Sequence, residues 1–579
     1  MKSCLLIVCW LSIGVGISAA AGAAEKASMH PPFKLLDARG ESVLKSGTPV
    51  STMRTCGGCH DTQYIAEHTY HGGQGKQPKA DMNCFLCHLP NPDNSARLDE
   101  SRSGRSEWVA TATLATTGVV KKTATGWKWN EAVVGPDGLI GTEFLRPVPP
   151  SSSNCGLCHG EVHKGSSPLV FRYGSGNRIT EMTGQVFSSQ RLKDSGVNLA
   201  GKDQLARPWD VHAERLMECR NCHYSLNNPA YVAGAEQAKP SHLRFESRKL
   251  TPGEFLLRPD HNFAKGHTPQ GHAAKNPDGT MRRCESCHDA GASHAWLPYT
   301  QRHFDAMNCE ACHVPQVYAP ARQQVDATVV DVGGNPVTTY RGINGPMDKS
   351  TSLVSGYTPV LLPRQEMDRT LKLTPHNLVT SWYWVAGDAS QRVDAADLKK
   401  AILDGSTYHA DVIAALDGNH DGKIDSAELR LNTPQKVDAI RRRLEAIGLK
   451  NPRIVGTIQP YSLHHGVAAA QWATRECSAC HSNLSRTSTP MELASYLPGG
   501  VMPVLAANVN VQLSGKLSRG ASGELIYTPV PTNSGRYVIG YDQWLLGDVL
   551  GFLAVGMAGC GVAVHSGMRV LAARKRAKL

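Results

Sequence analysis

Residues 55–71 read TCGGCHDTQYIAEHTYH and residues 82–90 read MNCFLCHLP. Each contains the pattern Cys-x-x-Cys-His: Cys56/Cys59/His60 in the first and Cys84/Cys87/His88 in the second. The pattern recurs at Cys155/Cys158/His159, Cys219/Cys222/His223, Cys284/Cys287/His288, Cys309/Cys312/His313 and Cys477/Cys480/His481, so seven motifs absorb fourteen of the 17 cysteines. A Cys-x-x-Cys pair alone suits zinc, a disulfide or a thiol redox site. The histidine that closes every pair points instead to covalent attachment of c-type haem. The two thiols add to the vinyl groups, and the histidine is placed to bind the iron as its proximal ligand. The other cysteines, Cys4, Cys9 and Cys560, lie in apolar segments at the two ends of the chain.

A second axial ligand for each iron must come from the 17 histidines outside the motifs. Supply exceeds demand, which predicts mostly bis-histidine, low-spin, electron-transferring centres. Proximity to a motif makes His68, His71, His163, His212, His294, His303, His464 and His465 the candidate distal ligands. His261, His267, His272 and His376 form a second rank, and His30 is set aside as close to the mature N-terminus. An internal repeat sharpens the expectation. CGGCHD followed by MNCFLCHLP (56–90) is echoed by CESCHD followed by MNCEACHVP (284–315), each pair enclosing a histidine-bearing segment. Each unit is expected to pack two haems together, with the enclosed histidines as distal ligands.

Both ends of the chain bear on location. Residues 1–24 read as a secretory signal peptide, with Lys2, an apolar run from Leu5 to Val15 and Ala21-Gly22-Ala23 before the cleavage point. Val549 to Met568 is long and apolar enough to cross a bilayer. Tyr537, Tyr541 and Trp544 precede it, and Arg569, Arg574, Lys575, Arg576 and Lys578 follow it. The expected placement is the periplasmic side of a bacterial inner membrane, with a single-pass C-terminal anchor and a cytoplasmic C-terminus.

The stretch 314–476 has no haem motif but contains DGNHDGKIDSAE (417–428). It matches the calcium loop of an EF-hand. Asp417, Asn419, Asp421, the Lys423 carbonyl, Asp425 and Glu428 fill the ligand positions, with Gly422 at the sharp turn. Helical periodicity on both sides (411–417 and 437–449) predicts flanking helices. Residues 125–135 and 505–528 have strand-like alternation.

The chain carries 61 Lys+Arg against 50 Asp+Glu, a formal charge of +11, with 41% hydrophobic and 6% aromatic residues. The basic tail holds nearly half of that excess, and haem propionates would offset most of the rest, so nucleic acid is not an expected partner. A side-chain core this lean is expected to be completed by porphyrin.

With its seven motifs, leader and anchor, the chain resembles bacterial respiratory multihaem cytochromes c. Its leading segment (PPFKLLDARG, 31–40, then TCGGCHDTQYIAEHTYH) is similar to the group of octahaem tetrathionate reductase and hydroxylamine oxidoreductase. That resemblance implies a mainly α, haem-packed fold with extensive irregular loops. It departs from the group in having seven motifs and no Cys-x-x-Cys-Lys. The domain reading is a signal peptide (1–24), a six-motif haem domain (25–392), an EF-hand-like insert (393–450), a seventh-motif periplasmic segment (451–540), the anchor (541–568) and a basic tail (569–579).

Two functions from different classes fit. One is electron carriage between a membrane quinone-linked or cytochrome b-type subunit and other periplasmic redox proteins. The other is terminal oxidation or reduction of small nitrogen or sulfur compounds such as tetrathionate, nitrite or hydroxylamine, which requires an open iron site. The expected cofactors are seven haem c groups and Ca2+.

Overall fold

A computed structural model describes residues 30–71, 81–171, 178–229, 251–270, 279–347, 349–531, 538 and 545–577. The expected signal peptide, the aromatic belt of Tyr537, Tyr541 and Trp544, and His272 lie outside them.

The motifs sit on single helical turns. Thr52–Cys56, Cys84–His88, Ser152–His159, Cys219–Cys222 and Glu310–His313 are short α-helices, while Cys284–Ser286 and Cys477–Ala479 are 3-10 turns. Two cysteines three residues apart share one face of such a turn, and the adjoining histidine emerges beside them. Local caps hold these turns. Asn154 and Ser151 form a capping box on the third, Asn221 and Glu218 one on the fourth. In both halves of the internal repeat the aspartate after the motif caps the next helix. Asp61 accepts from Tyr64 N at 3.0 Å and Asp289 from Ala292 N at 2.9 Å.

The expectation of a mainly α fold is corrected by the haem-free stretch, which is built on a seven-stranded mixed sheet. Leu371–Ala386, 16 residues long, is its spine. It pairs antiparallel with Arg453–Ser462 and Val360–Gln365, and parallel with Ala321–Val330, which in turn pairs with Pro336–Arg341. The spine is buried along most of its length and its buried positions mix apolar residues with polar Thr374, His376, Asn377 and Thr380, so period-two patterning fails to mark it. The alternating stretches do contain strands, at Gly126–Trp129, Lys516–Arg519 and Leu525–Thr528.

The sheet runs across residue 393. The helices Ala395–Ile402, Ala410–Leu416 and Pro434–Ala446 interrupt it between Leu371–Ala386 and Arg453–Ser462. Leu398, Val412, Leu416, Ile440 and Leu444 bury against Val329, Val330 and Trp384 of the sheet. Other apolar clusters gather between Trp382 of the sheet and Tyr527 of a separate three-stranded sheet, and around Phe85, Leu114 and Trp129 beside the second motif. The haem-motif residues gather instead around a void.

Residues 545–577 form one helix, Leu545–Arg576, whose described side chains are almost all exposed. From Val549 to Arg576 it is long and apolar enough to cross a membrane.

Candidate haem-binding cavity

One cavity of 3720 Å³ is lined by all fourteen motif cysteines and all seven motif histidines. A typical small-molecule pocket measures about 300–1,000 Å³.

Among the described residues, seven pairs of histidines face one another, and each joins one motif histidine to one from elsewhere. The pairs and their centroid separations are His60 with His30 (6.5 Å), His88 with His261 (6.2 Å), His159 with His71 (5.9 Å), His223 with His465 (6.3 Å), His288 with His212 (6.2 Å), His313 with His294 (6.0 Å) and His481 with His303 (6.0 Å). Two imidazoles on opposite sides of one metal ion, each bonded at about 2.0 Å, have centroids about 6 Å apart. The pairs therefore have the spacing of axial ligands, and no motif histidine lacks a counterpart.

Hydrogen bonds orient the rings. Nδ1 of His60, His88, His223 and His313 lies 2.7–3.0 Å from the carbonyls of Leu256, Val148, Ala264 and Ala468. Nδ1 of His30, His261, His294 and His303 likewise reaches the carbonyls of Pro31, Pro259, Ala290 and Tyr299, at 2.9–3.3 Å. A carbonyl can only accept, so Nδ1 carries the proton and Nε2 keeps the lone pair. Burial holds several of these rings neutral, pushing His88 and His465 each down to about 4. His212 differs: the Asp210 carboxylate, 3.6 Å from its Nδ1, raises it.

Tertiary contacts deliver the facing histidines. An isolated parallel bridge joins Thr69 to His261, and His68 O accepts from His261 N at 2.9 Å. That bridge sets His71 toward the third motif and His261 toward the second. His465 follows the strand Arg453–Ser462, where Gln185 Oε1 accepts its N–H at 2.6 Å and Asp210 Oδ2 accepts Gly466 N at 2.7 Å. His303 rides on Thr300–Ala306, a helix that starts from Tyr299 in the left-handed region at φ 53°.

Five of the eight candidate distal ligands face a motif histidine: His71, His212, His294, His303 and His465. The other three do not. His68 stacks on Tyr64 at 3.9 Å, His163 lies beside Ser188, and His464 is held between Glu310 at 3.0 Å and Ser462 at 2.8 Å. Their places are taken by His261 and by His30, which the sequence reading ranks lower or sets aside. The repeat explains part of the pattern. His71 and His303, the last histidines of the two enclosed segments, each reach the motif after their own unit, whereas His294 stays within its unit.

No three His, Cys, Asp or Glu side chains among the described residues gather tightly enough to hold a bare metal ion. The thiols and histidines of a motif thus do not converge as zinc ligands would. The 417–428 loop shows the turn of its expected class, with Gly422 at φ 80° and its N–H donating to Asp417 Oδ2 at 2.8 Å. Its carboxylates, however, cap backbone amides. Glu428 accepts from Gly418, Asn419 and Asp425, and Asp425 from Ala427 and Glu428. The expected preceding helix is present as Ala410–Leu416, but the following one begins at Pro434, so Glu428 stands outside it.

No family model and no curated protein matches the chain. Among solved structures, an octaheme cytochrome c from Shewanella oneidensis aligns over 78% of this chain and 82% of that chain, at 14% identity and a TM-score of 0.32. At that level the comparison defines no common fold.

Proposed function

We propose that the chain is a heptahaem c-type cytochrome that carries electrons. One observation carries the reading: seven motif histidines, each facing a histidine from elsewhere at the spacing of two axial ligands, in a cavity lined by every motif thiol. The fourteen motif cysteines would tether seven haems, and the fourteen paired histidines would bind their irons. Such groups supply reversible one-electron chemistry between ferric and ferrous iron. The protein's part is to hold both axial nitrogens in place and, at eight of the fourteen rings, to orient them through backbone carbonyls. Because no motif histidine is left unfaced, the geometry favours electron transfer over an oxidoreductase of nitrogen or sulfur compounds, which needs a vacant axial position.

Haem content and spin state test this together. Seven haems per chain with a wholly low-spin oxidised EPR spectrum is the expected result. A high-spin signal that changes on adding nitrite, hydroxylamine or tetrathionate would move the assignment to the enzyme class.

Two finer readings accompany it. The helix Leu545–Arg576 serves as an inner-membrane anchor that keeps the haem-bearing body on the periplasmic side, near a quinone-linked membrane donor or acceptor. The 417–428 loop binds Ca2+, whose oxygen-only donor set suits a hard cation, and the ion would draw the carboxylates off their amides.

A further inference from the structure

We propose that Asp210 is a positioning residue that sets two distal imidazoles at once, His212 opposite His288 and His465 opposite His223. The inference rests on the haem reading above and concerns how this chain fixes two of the rings that reading needs.

The residue is 1% exposed, and backbone N–H groups engage both oxygens of its carboxylate. Oδ1 accepts from His212 N at 2.8 Å and from Ala213 N at 3.3 Å, at the start of the short helix Val211–Glu214. Oδ2 accepts from Gly466 N at 2.7 Å and from Val467 N at 3.0 Å, in a segment 256 residues further along the chain. Capping a helix needs only the first oxygen. The second ties the helix that carries His212 to the loop that carries His465. On one side a donor is the facing histidine's own backbone, and on the other it is that of the next residue.

The surroundings serve the same joint. Val211 N donates to Val467 O at 3.0 Å, and buried Arg207 donates through Nη2 to Gly466 O at 2.9 Å and to Trp209 O at 3.4 Å. Beyond Val467 the loop has its own attachment: Ala468 N donates to His313 O at 2.8 Å, and His313 Nδ1 lies 3.0 Å from Ala468 O. The part of the loop that depends on Asp210 is therefore the part beside His465. A buried carboxylate is costly unless its lone pairs are used, and its bonds to N–H groups are of the stronger, charge-assisted kind. Four such donors from two distant segments make Asp210 a rigid link between two rings that face different motifs. Groups that hold a metal ligand in place typically change metal affinity about 10–100-fold when removed.

The test is EPR of the oxidised full-length holoprotein, with haem counted on the same sample and His212→Gly and His465→Gly marking the signals of the two sites. Asp210→Ala removes both ties and should alter both low-spin signals, about two-sevenths of the iron, with added imidazole restoring any high-spin fraction. Asp210→Asn keeps one accepting oxygen for one segment and turns an amide nitrogen toward the N–H groups of the other, so it should alter one of the two signals. Gln185→Leu, which frees the N–H groups of His464 and His465, should alter the His465 signal alone. A spectrum unchanged in Asp210→Ala, or changes that spread beyond these two sites, would overturn the assignment. Amide hydrogen exchange on the unsubstituted holoprotein decides even where no variant folds: residues 211–213 and 465–468 should exchange slowly and together, and rapid exchange in either segment would sink the link. Fewer than seven haems in the unsubstituted protein would end the haem reading itself, a separate failure from unchanged spectra at full haem content.

Discussion

His88 and His261 face each other with 6.2 Å between ring centroids, and each directs Nδ1 at a backbone carbonyl, that of Val148 and that of Pro259. One belongs to a Cys-x-x-Cys-His motif and the other to a loop with no motif near it in sequence. Replacing His261 with Gly should convert about one haem in seven from low-spin to high-spin, with added imidazole restoring the low-spin state. His68→Gly should leave the spin state unchanged, because that ring stacks on Tyr64. If His68→Gly produced the high-spin signal and His261→Gly did not, the pairing would be wrong.

His376 is fully buried on the spine strand. Nδ1 lies 2.7 Å from Thr374 O, and Nε2 has no hydrogen-bond partner among the described residues. Burial pushes its pKa from 6.5 down to about 3. The unfolded chain thus takes up this proton more readily than the folded one. Stability is unaffected above pH 6.5 and is lost as pH falls from there toward 3, at up to roughly 1.4 kcal/mol per pH unit. Urea midpoints measured between pH 7 and 4.5 should fall less steeply for His376→Asn than for the unsubstituted protein. Parallel pH profiles would refute the assignment.

Trp382 is fully buried in the sheet core, and its Nε1 donates to Val501 O at 2.9 Å. Trp382→Ala leaves a large void and an unpaired carbonyl, and should cost about 3–5 kcal/mol in denaturant unfolding. The haem count should stay at seven, since the cavity is lined by other residues. Loss of haem together with stability would show that sheet and cavity fold as one unit.

Calcium should bind at one site per chain, and chelation should lower the melting temperature without altering the haem spectrum. Glu428→Gln, which removes the bidentate ligand, should weaken binding at least about tenfold. A flat calorimetric titration of the chelator-treated protein would end the calcium reading.

Ending the chain after residue 540 removes the helix Leu545–Arg576 and should release a fully haem-loaded protein from membranes into the soluble fraction. Retention in the membrane would place the attachment elsewhere.

What the amino-acid sequence determined alone is the chemistry that fits within one helical turn. Two thiols and a histidine spaced as Cys-x-x-Cys-His are a pattern complete within a few residues, so the seven motifs on which the haem proposal stands are legible from Cys56 to Cys477 without any fold. The apolar helix at the C-terminus and the 417–428 loop are local in the same sense. A distal imidazole carries no such spacing rule: it needs only a neutral nitrogen at the right distance, and any part of the chain can supply it. His71 and His303 were legible because the repeat confined them beside motifs. His30 and His261 were not, since only the Thr69–His261 bridge and the fold of the N-terminal segment bring them to the cavity. The spine strand was hidden for a related reason, because burial on both faces erases the alternation that marks a strand. Which histidine faces which motif was decided by long-range packing, because proximity there is set by backbone contacts between distant segments rather than by residue spacing.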